Sequence, residues 1–167
     1  MHYVTGIKDV GGVQYCANLR EFVSCNSPVD LLEDITYCRK LKSFIYEFTE
    51  EKYQQYGKTD FRFLQKLPEL KEISITGNKL EDVSVFANFH KVTELTLSRN
   101  PVKNISPLKE MQSLDYLEVD YCELSSLEGL DDFKALKELG VAGNLFTEEQ
   151  AFEYKKRYSN IEFFFED

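Results

Sequence analysis

The groups in this 167-residue sequence able to do covalent or metal chemistry are four cysteines, two histidines and a large excess of carboxylates. Zinc or redox chemistry needs thiols or imidazoles in close, fixed spacing such as C-x-x-C. Cys16, Cys25, Cys38 and Cys122 form no such pair, and only His2 and His90 are available to complete a ligand set. Nucleophilic catalysis needs a base beside its nucleophile, and the spacing places no serine or cysteine next to His90. Acid-base catalysis needs carboxyls whose pKa values are driven apart by apolar surroundings. None of the 29 aspartates and glutamates stands in an isolated pair of that kind. Gly11, Gly12, Gly77, Gly129, Gly140 and Gly143 build no phosphate-binding loop and read as corners or strand positions. The reading is of no catalytic residue, no cofactor and no metal.

The elements that must position these groups repeat. Cys16 and Cys38 are 22 residues apart, and the same step recurs along most of the chain. In "VTELTLSRNPVKNISPL", Leu95 heads a column that reads Phe22, Phe44, Ile73, Leu95, Leu117, Leu139, Ile161. The column of Leu97 reads Ser24, Tyr46, Ile75, Leu97, Val119, Val141, Phe163. Further apolar columns run through Ile7, Val29, Leu80, Val102, Leu124 and Phe146, through Val83, Ile105 and Leu127, and through Ile35, Leu64, Phe86, Leu108 and Leu130. Cys16 and Cys38 head another, with Leu67, Phe89, Met111 and Phe133. Alternation over three residues followed by wider apolar steps means a short strand and then a turning segment, once per coil of a solenoid. Asn78, Asn100, Cys122 and Asn144 share a column. A buried corner leaves backbone groups that no strand ladder pairs, and a carboxamide can both donate to and accept from them. Cys122 does this only weakly. The thiols read as reduced core residues, with a Cys16–Cys38 disulfide as the alternative in an oxidising compartment.

"LKEISITGNKLEDVSVF", "VTELTLSRNPVKNISPL", "LDYLEVDYCELSSLEGL" and "LKELGVAGNLF" resemble leucine-rich repeats of the 22-residue internalin class. The resemblance implies an α/β, right-handed solenoid with a parallel sheet lining the concave face and short helical or irregular convex segments. It implies little about function, since one fold hosts many partners. Departures lie in the first part. The step from Leu41 to Leu70 is 29 residues, an insertion near 49–61 around "TEEKYQQYGKTDF", and Ser27 and Thr49 stand where asparagine is expected. The layout is one domain over 1–167: irregular repeats over 1–66, regular repeats over 67–146 and a helix-strand cap over 147–167. In the cap, Thr147 and Gln150 have capping-box spacing, Lys155, Lys156 and Arg157 suit a helix C-terminus, and Ala151, Phe152, Tyr154 and Tyr158 form the buried side. The closing strand leaves an edge where Phe164 and Phe165 offer pairing to another chain, guarded by Glu166 and Asp167. A monomer is expected, with an edge-strand dimer as the alternative.

No stretch has the ~20 apolar residues of a membrane span, and "MHYVTGIKDVGG" lacks the regions of a signal peptide. A cytoplasmic location follows for the chain taken as given; a surface or secreted one follows if it is cut from a longer parent. The net charge of −9 disfavours nucleic acid and anionic membranes.

Surface is what remains. With the Leu95 column inward, strand alternation sends its neighbours out in ladders. One reads Glu21, Ser43, Glu72, Glu94, Tyr116, Glu138; the next Val23, Ile45, Ser74, Thr96, Glu118, Gly140, Glu162; the third Cys25, Glu47, Thr76, Ser98, Asp120, Ala142. Asn26, Phe48, Gly77, Arg99 and Tyr121 run beside them. Glu72, Glu94 and Glu138, taken singly, read as solubilising repeat residues balanced by nearby bases such as Lys71 and Lys137. The cluster of Tyr116, Glu118, Asp120 and Tyr121 reads as a docking surface, in which charge steers and aromatics anchor. The candidate protein-binding residues are Glu47, Phe48, Glu72, Ser74, Glu94, Thr96, Arg99, Tyr116, Glu118, Asp120, Tyr121 and Glu138. The function expected is a binding module for a basic protein, such as an intracellular inhibitor or immunity protein. The alternative is a structural or adhesion segment of a larger bacterial surface protein. Reversing Glu94 and Asp120 to lysine is expected to abolish partner capture with the fold intact, whereas reversing the outer residues Glu110 and Asp132 is not; equal loss from both pairs in a pull-down excludes the concave site.

Overall fold

Leu95 pairs with Ile73 on one side and Leu117 on the other, as a 22-residue coil with one strand per turn requires. The computed structural model describes residues 11–166 and carries this pairing through a seven-stranded parallel sheet in chain order. The strands are β1 (Glu21–Cys25), β2 (Ser43–Glu47), β3 (Glu72–Ser74), β4 (Glu94–Thr96), β5 (Tyr116–Glu118), β6 (Glu138–Gly140) and β7 (Glu162–Phe164). Short 3-10 turns such as Val83–Phe86 and Ser106–Glu110 bring the chain back between strands, and Pro107 presets the start of the second. Two α-helices interrupt the pattern, α1 (Glu50–Tyr56) and α2 (Glu148–Arg157). Ile7, His2 and Asp167, which carry a column position, a ligand possibility and an edge-guarding role in the sequence reading, lie outside the described residues.

Inward columns fill one continuous core. Phe44, Ile73, Leu95, Leu117 and Leu139 are buried, as are Ile75, Leu97, Val119 and Val141 behind them and Leu64, Phe86, Leu108 and Leu130 on the return arc. No coil could bury its apolar side alone, and stacking supplies the cover. The corners close through the asparagines. The Asn100 Nδ2 donates to the carbonyls of Ile75 at 2.6 Å and Leu97 at 2.8 Å, and its Oδ1 accepts from the Leu80 N–H at 3.1 Å. Asn144 repeats the arrangement with Val119, Val141 and the Leu124 N–H, and Asn78 with Tyr46 and the Lys58 N–H. Cys122 reaches the Leu97 carbonyl at 3.5 Å and the Asp120 carbonyl at 3.7 Å, both longer than the carboxamide bonds. A thiol is a poor acceptor, and the Val102 N–H that an asparagine would have taken turns back to the Asn100 carbonyl at 2.7 Å. Burial pushes the Cys122 thiol up to about 11, so it stays protonated near neutrality.

The irregular half has local causes. At Ser27 the backbone carbonyl accepts from the Ser24 hydroxyl at 2.9 Å, and Asn26, one residue earlier, accepts from the Thr49 N–H of the following coil at 2.8 Å. Thr49 is itself the residue before α1, and the seven extra residues of the long coil form that helix. Tyr56 at its end packs 6.1 Å from the Phe48 ring, and Lys58 rejoins the ladder at Asn78.

Three expectations need correction. The last strand is two residues out of step, pairing Leu139 with Phe163 instead of Ile161, and Glu138 with Glu162. The α2 coil is longer by that amount, and a slip of two preserves which side chains face inward, so Ile161 stays buried. The helix has its capping box at Thr147 and Gln150, but Phe152 is 65% exposed. Tyr154, packed 5.7 Å from Phe146, and Tyr158 face inward, and a residue two positions before Tyr154 lies on the opposite side of a helix. Cys16 is exposed, not a core thiol; Cys38, with coils on both sides, is buried and donates to the Val13 carbonyl at 3.5 Å. All four cysteines are free thiols.

Asn100→Ala strands buried groups at one corner and is expected to cost about 3 kcal/mol in urea unfolding. Cys122→Asn restores an acceptor for Val102 and is expected to gain about 1 kcal/mol; a loss would mean the pocket rejects the carboxamide.

Candidate protein-binding face

The sheet has one face packed on the core and one open. On the open face, register brings the first-position residues into a row: Ser43 beside Glu72, then Glu94, Tyr116, Glu138 and Glu162. Glu94, Glu138 and Glu162 are exposed and Glu72 is half-buried. Among the described residues, no ion pair engages Glu72, Glu94 or Glu138. The nearby bases look elsewhere: Lys137 reaches Asp115 at 3.5 Å, and Lys91 reaches Glu69 at 2.9 Å. Unit charges on adjacent strands about 5–6 Å apart repel by roughly 0.7 kcal/mol in water, so the fold gains nothing from this row.

The next two rows are tied down. Tyr116 donates its hydroxyl to Glu118 Oε2 at 2.7 Å, and Ser98 donates to Glu118 Oε1 at 2.7 Å. Burial, then the Glu118 carboxylate, push the Tyr116 phenol well above its ordinary range. Ser98 Oγ also accepts from the Asp120 N–H at 3.0 Å, and Asp120 Oδ1 accepts from the Ala142 N–H at 2.8 Å. Asp120 is thus a backbone clip between coils as well as a surface charge. Its reversal would remove that acceptor, so the expected separation of binding from folding does not hold at Asp120, and Glu138 is the cleaner partner for Glu94. On the N-terminal side, Glu47 accepts from Ser74 and faces the Cys25 thiol at 3.9 Å; burial and this carboxylate raise the Cys25 pKa.

Past the strand ends the backbone turns left-handed in the coils of β1, β3, β4, β5 and β6, where Asn26, Gly77, Arg99, Tyr121 and Gly143 have φ between 51° and 63°, but not at Phe48 after β2. Glycine takes this conformation freely, whereas arginine and tyrosine pay about 1 kcal/mol or more. The Arg99 guanidinium lies 4.6 Å from the centre of the Tyr121 ring. On the other side, a side chain at Gly143 would meet that ring at 2.3 Å, so the glycine clears its place. Tyr121 remains 42% exposed.

Of the residues singled out from sequence, Tyr116, Glu118, Asp120, Arg99 and Tyr121 come together, with Glu72, Glu94, Thr96 and Glu138 in the adjoining rows. Phe48 does not belong: it is 2% exposed and packs edge-on against Tyr46 at 5.1 Å. The insertion turns the chain into α1 directly after it, where the ring gains core contacts. Ser74 is buried and spent on Glu47. Sequence reasoning undervalued Ser98, the bridge between Glu118 and Asp120, and Gly143, the floor under Tyr121; a glycine one period after a tyrosine was the available signal. The slipped last strand sets Phe164, 41% exposed, beside Gly140.

A parallel sheet with one strand per coil, asparagine corners and 3-10 return arcs defines an internalin-like leucine-rich-repeat solenoid. Among solved structures, an internalin, inlF, from Listeria monocytogenes strain 4b F2365 is similar at a TM-score of 0.73 and 18% identity, covering 98% of this chain and 54% of that one. Internalin C2, inlC2, from the same strain is similar at a TM-score of 0.69 and 20% identity, covering 87% of this chain and 71% of that one. The likeness at such identity is one of fold, and the chain spans only 54% of the first structure's length. No family profile and no curated protein matches the sequence.

Tyr121→Gly is expected to leave stability within about 1 kcal/mol, relief of the left-handed strain offsetting the lost stacking. Gly143→Ala, which drives a methyl into the ring at an unfavourable φ, is expected to cost about 2 kcal/mol; urea unfolding of both variants checks the pair.

Proposed function

We propose that this chain is a protein-binding module whose open, acidic sheet face docks a basic partner. The observation that carries the reading is the row Glu72, Glu94, Glu138 and Glu162, repulsive within the fold, with an exposed Tyr121 past the strand ends held in a conformation glycine would take more cheaply. Charges that cost folding and face solvent raise association rates with an opposite surface. An exposed tyrosine braced by Arg99 and Gly143 has the rigidity of an interface anchor. The finer role is an inhibitor or immunity protein that neutralises its partner in the cytoplasm. A second reading, as a repeat segment of a larger surface protein, is favoured by the 54% and 71% of the two internalin structures that the chain spans.

The test is a pull-down from native lysate with the intact chain, the Glu94→Lys/Glu138→Lys variant and the Glu110→Lys/Asp132→Lys control, in low and high salt. A basic protein held by the intact chain and the control, released by salt and not held by the first variant, is the expected result. Equal capture by all three overturns the face as the binding site.

A further inference from the structure

We infer that the segment recognised by this face is an α-helix of a basic protein, lying across the strands with its lysines or arginines on one side. The inference rests on the proposed binding face. Backbone hydrogen bonding weighs against the simplest alternative: the inner strands β2 to β6 spend their donors and acceptors on neighbouring strands, so away from the edge of β7 the open face offers a visitor only side chains. An extended segment laid on it would depend on water and side chains for its backbone hydrogen bonds, whereas a helix satisfies them internally.

Spacing and charge then agree. The row presents Glu72, Glu94, Tyr116, Glu138 and Glu162, one residue per strand, at ~4.8 Å intervals. A helix crossing the strands presents one residue of a given side per ~5.4 Å turn. Over four intervals the two differ by only ~2.4 Å, which flexible lysine and arginine side chains span. Matching each carboxylate to a cation and Tyr116 to an apolar residue gives a definite pattern: basic at i, i+4, i+11 and i+14, apolar at i+7. Beside the row the floor is low from β3 to β6, with Ser74, Thr96 and Gly140 in the second positions and Glu118 held down by Ser98 and Tyr116, and the exposed Phe164 closes it on β7. That shelf gives the body of a helix room to settle against the sheet.

Three synthetic alanine-rich peptides of equal length and charge test this by fluorescence anisotropy at low salt: one with the pattern above, one with its lysines distributed around the helix, and one with the pattern broken by central prolines. The patterned peptide is expected to bind at least about tenfold more tightly than either of the others, and Glu94→Lys/Glu138→Lys to remove that advantage while Glu110→Lys/Asp132→Lys keeps it. Amide shifts in the labelled protein are expected along β3 to β7. If all three peptides bind alike and the first variant abolishes all binding, the acidic face stands as a binding site and the helix inference falls. If the patterned peptide shifts residues elsewhere, or no peptide binds, the helix inference also falls, and the pull-down separately decides the face.

Discussion

The structure depends on how its corners satisfy the backbone. A coil of 22 residues turns sharply enough that carbonyls and N–H groups meet inside, away from water and out of reach of the strand ladder. In the coils of β3, β4 and β6 one carboxamide takes both kinds, linking its own corner to the coil before it. The short strands and brief 3-10 arcs are affordable only because this link recurs; each element alone is below the length at which it would be stable. The apolar columns then stack because the corners hold every coil at the same phase.

That dependence explains what was readable. Periodicity shows directly in Leu95, Asn100 and their columns, since each inward position sees the same environment coil after coil. Register from β1 to β6 follows from it. The readable part ended where neighbours stopped being equivalent. Phe48 occupies an outward position by counting, yet the helix that follows supplies a local core, and no periodic argument contains that helix. The cap slipped by two residues because α2 sets its own length. Phe152 faced outward because a single helix against one coil can bury only one narrow side.

The candidate face was legible as a composition and illegible as a network. Alternation identified which residues point out, but Glu118 and Asp120 read as plain charges although both are bound to Ser98 or a backbone amide of the next coil. Glu94 and Glu138 read as ordinary repeat residues although Lys137, one of the bases expected to balance them, pairs with Asp115. Hydrogen-bond partners depend on side-chain reach between coils, which column position does not encode. The left-handed Arg99 and Tyr121 are similar: their cost is visible only in the backbone angles.

Cys122 and Ser98 act on the same seam, between the coils of β4 and β5. Inside, the cysteine gives the seam a weaker acceptor than a carboxamide; outside, Ser98 ties it with bonds to Glu118 and to the Asp120 amide. A stack in which each coil touches only its neighbours transmits cooperativity through its seams, so this one has traded internal fastening for external. Glu94 and Glu138 lie on opposite sides of it. A ligand spanning them would act as a splint, making occupancy of the face and integrity of the stack two readings of one equilibrium.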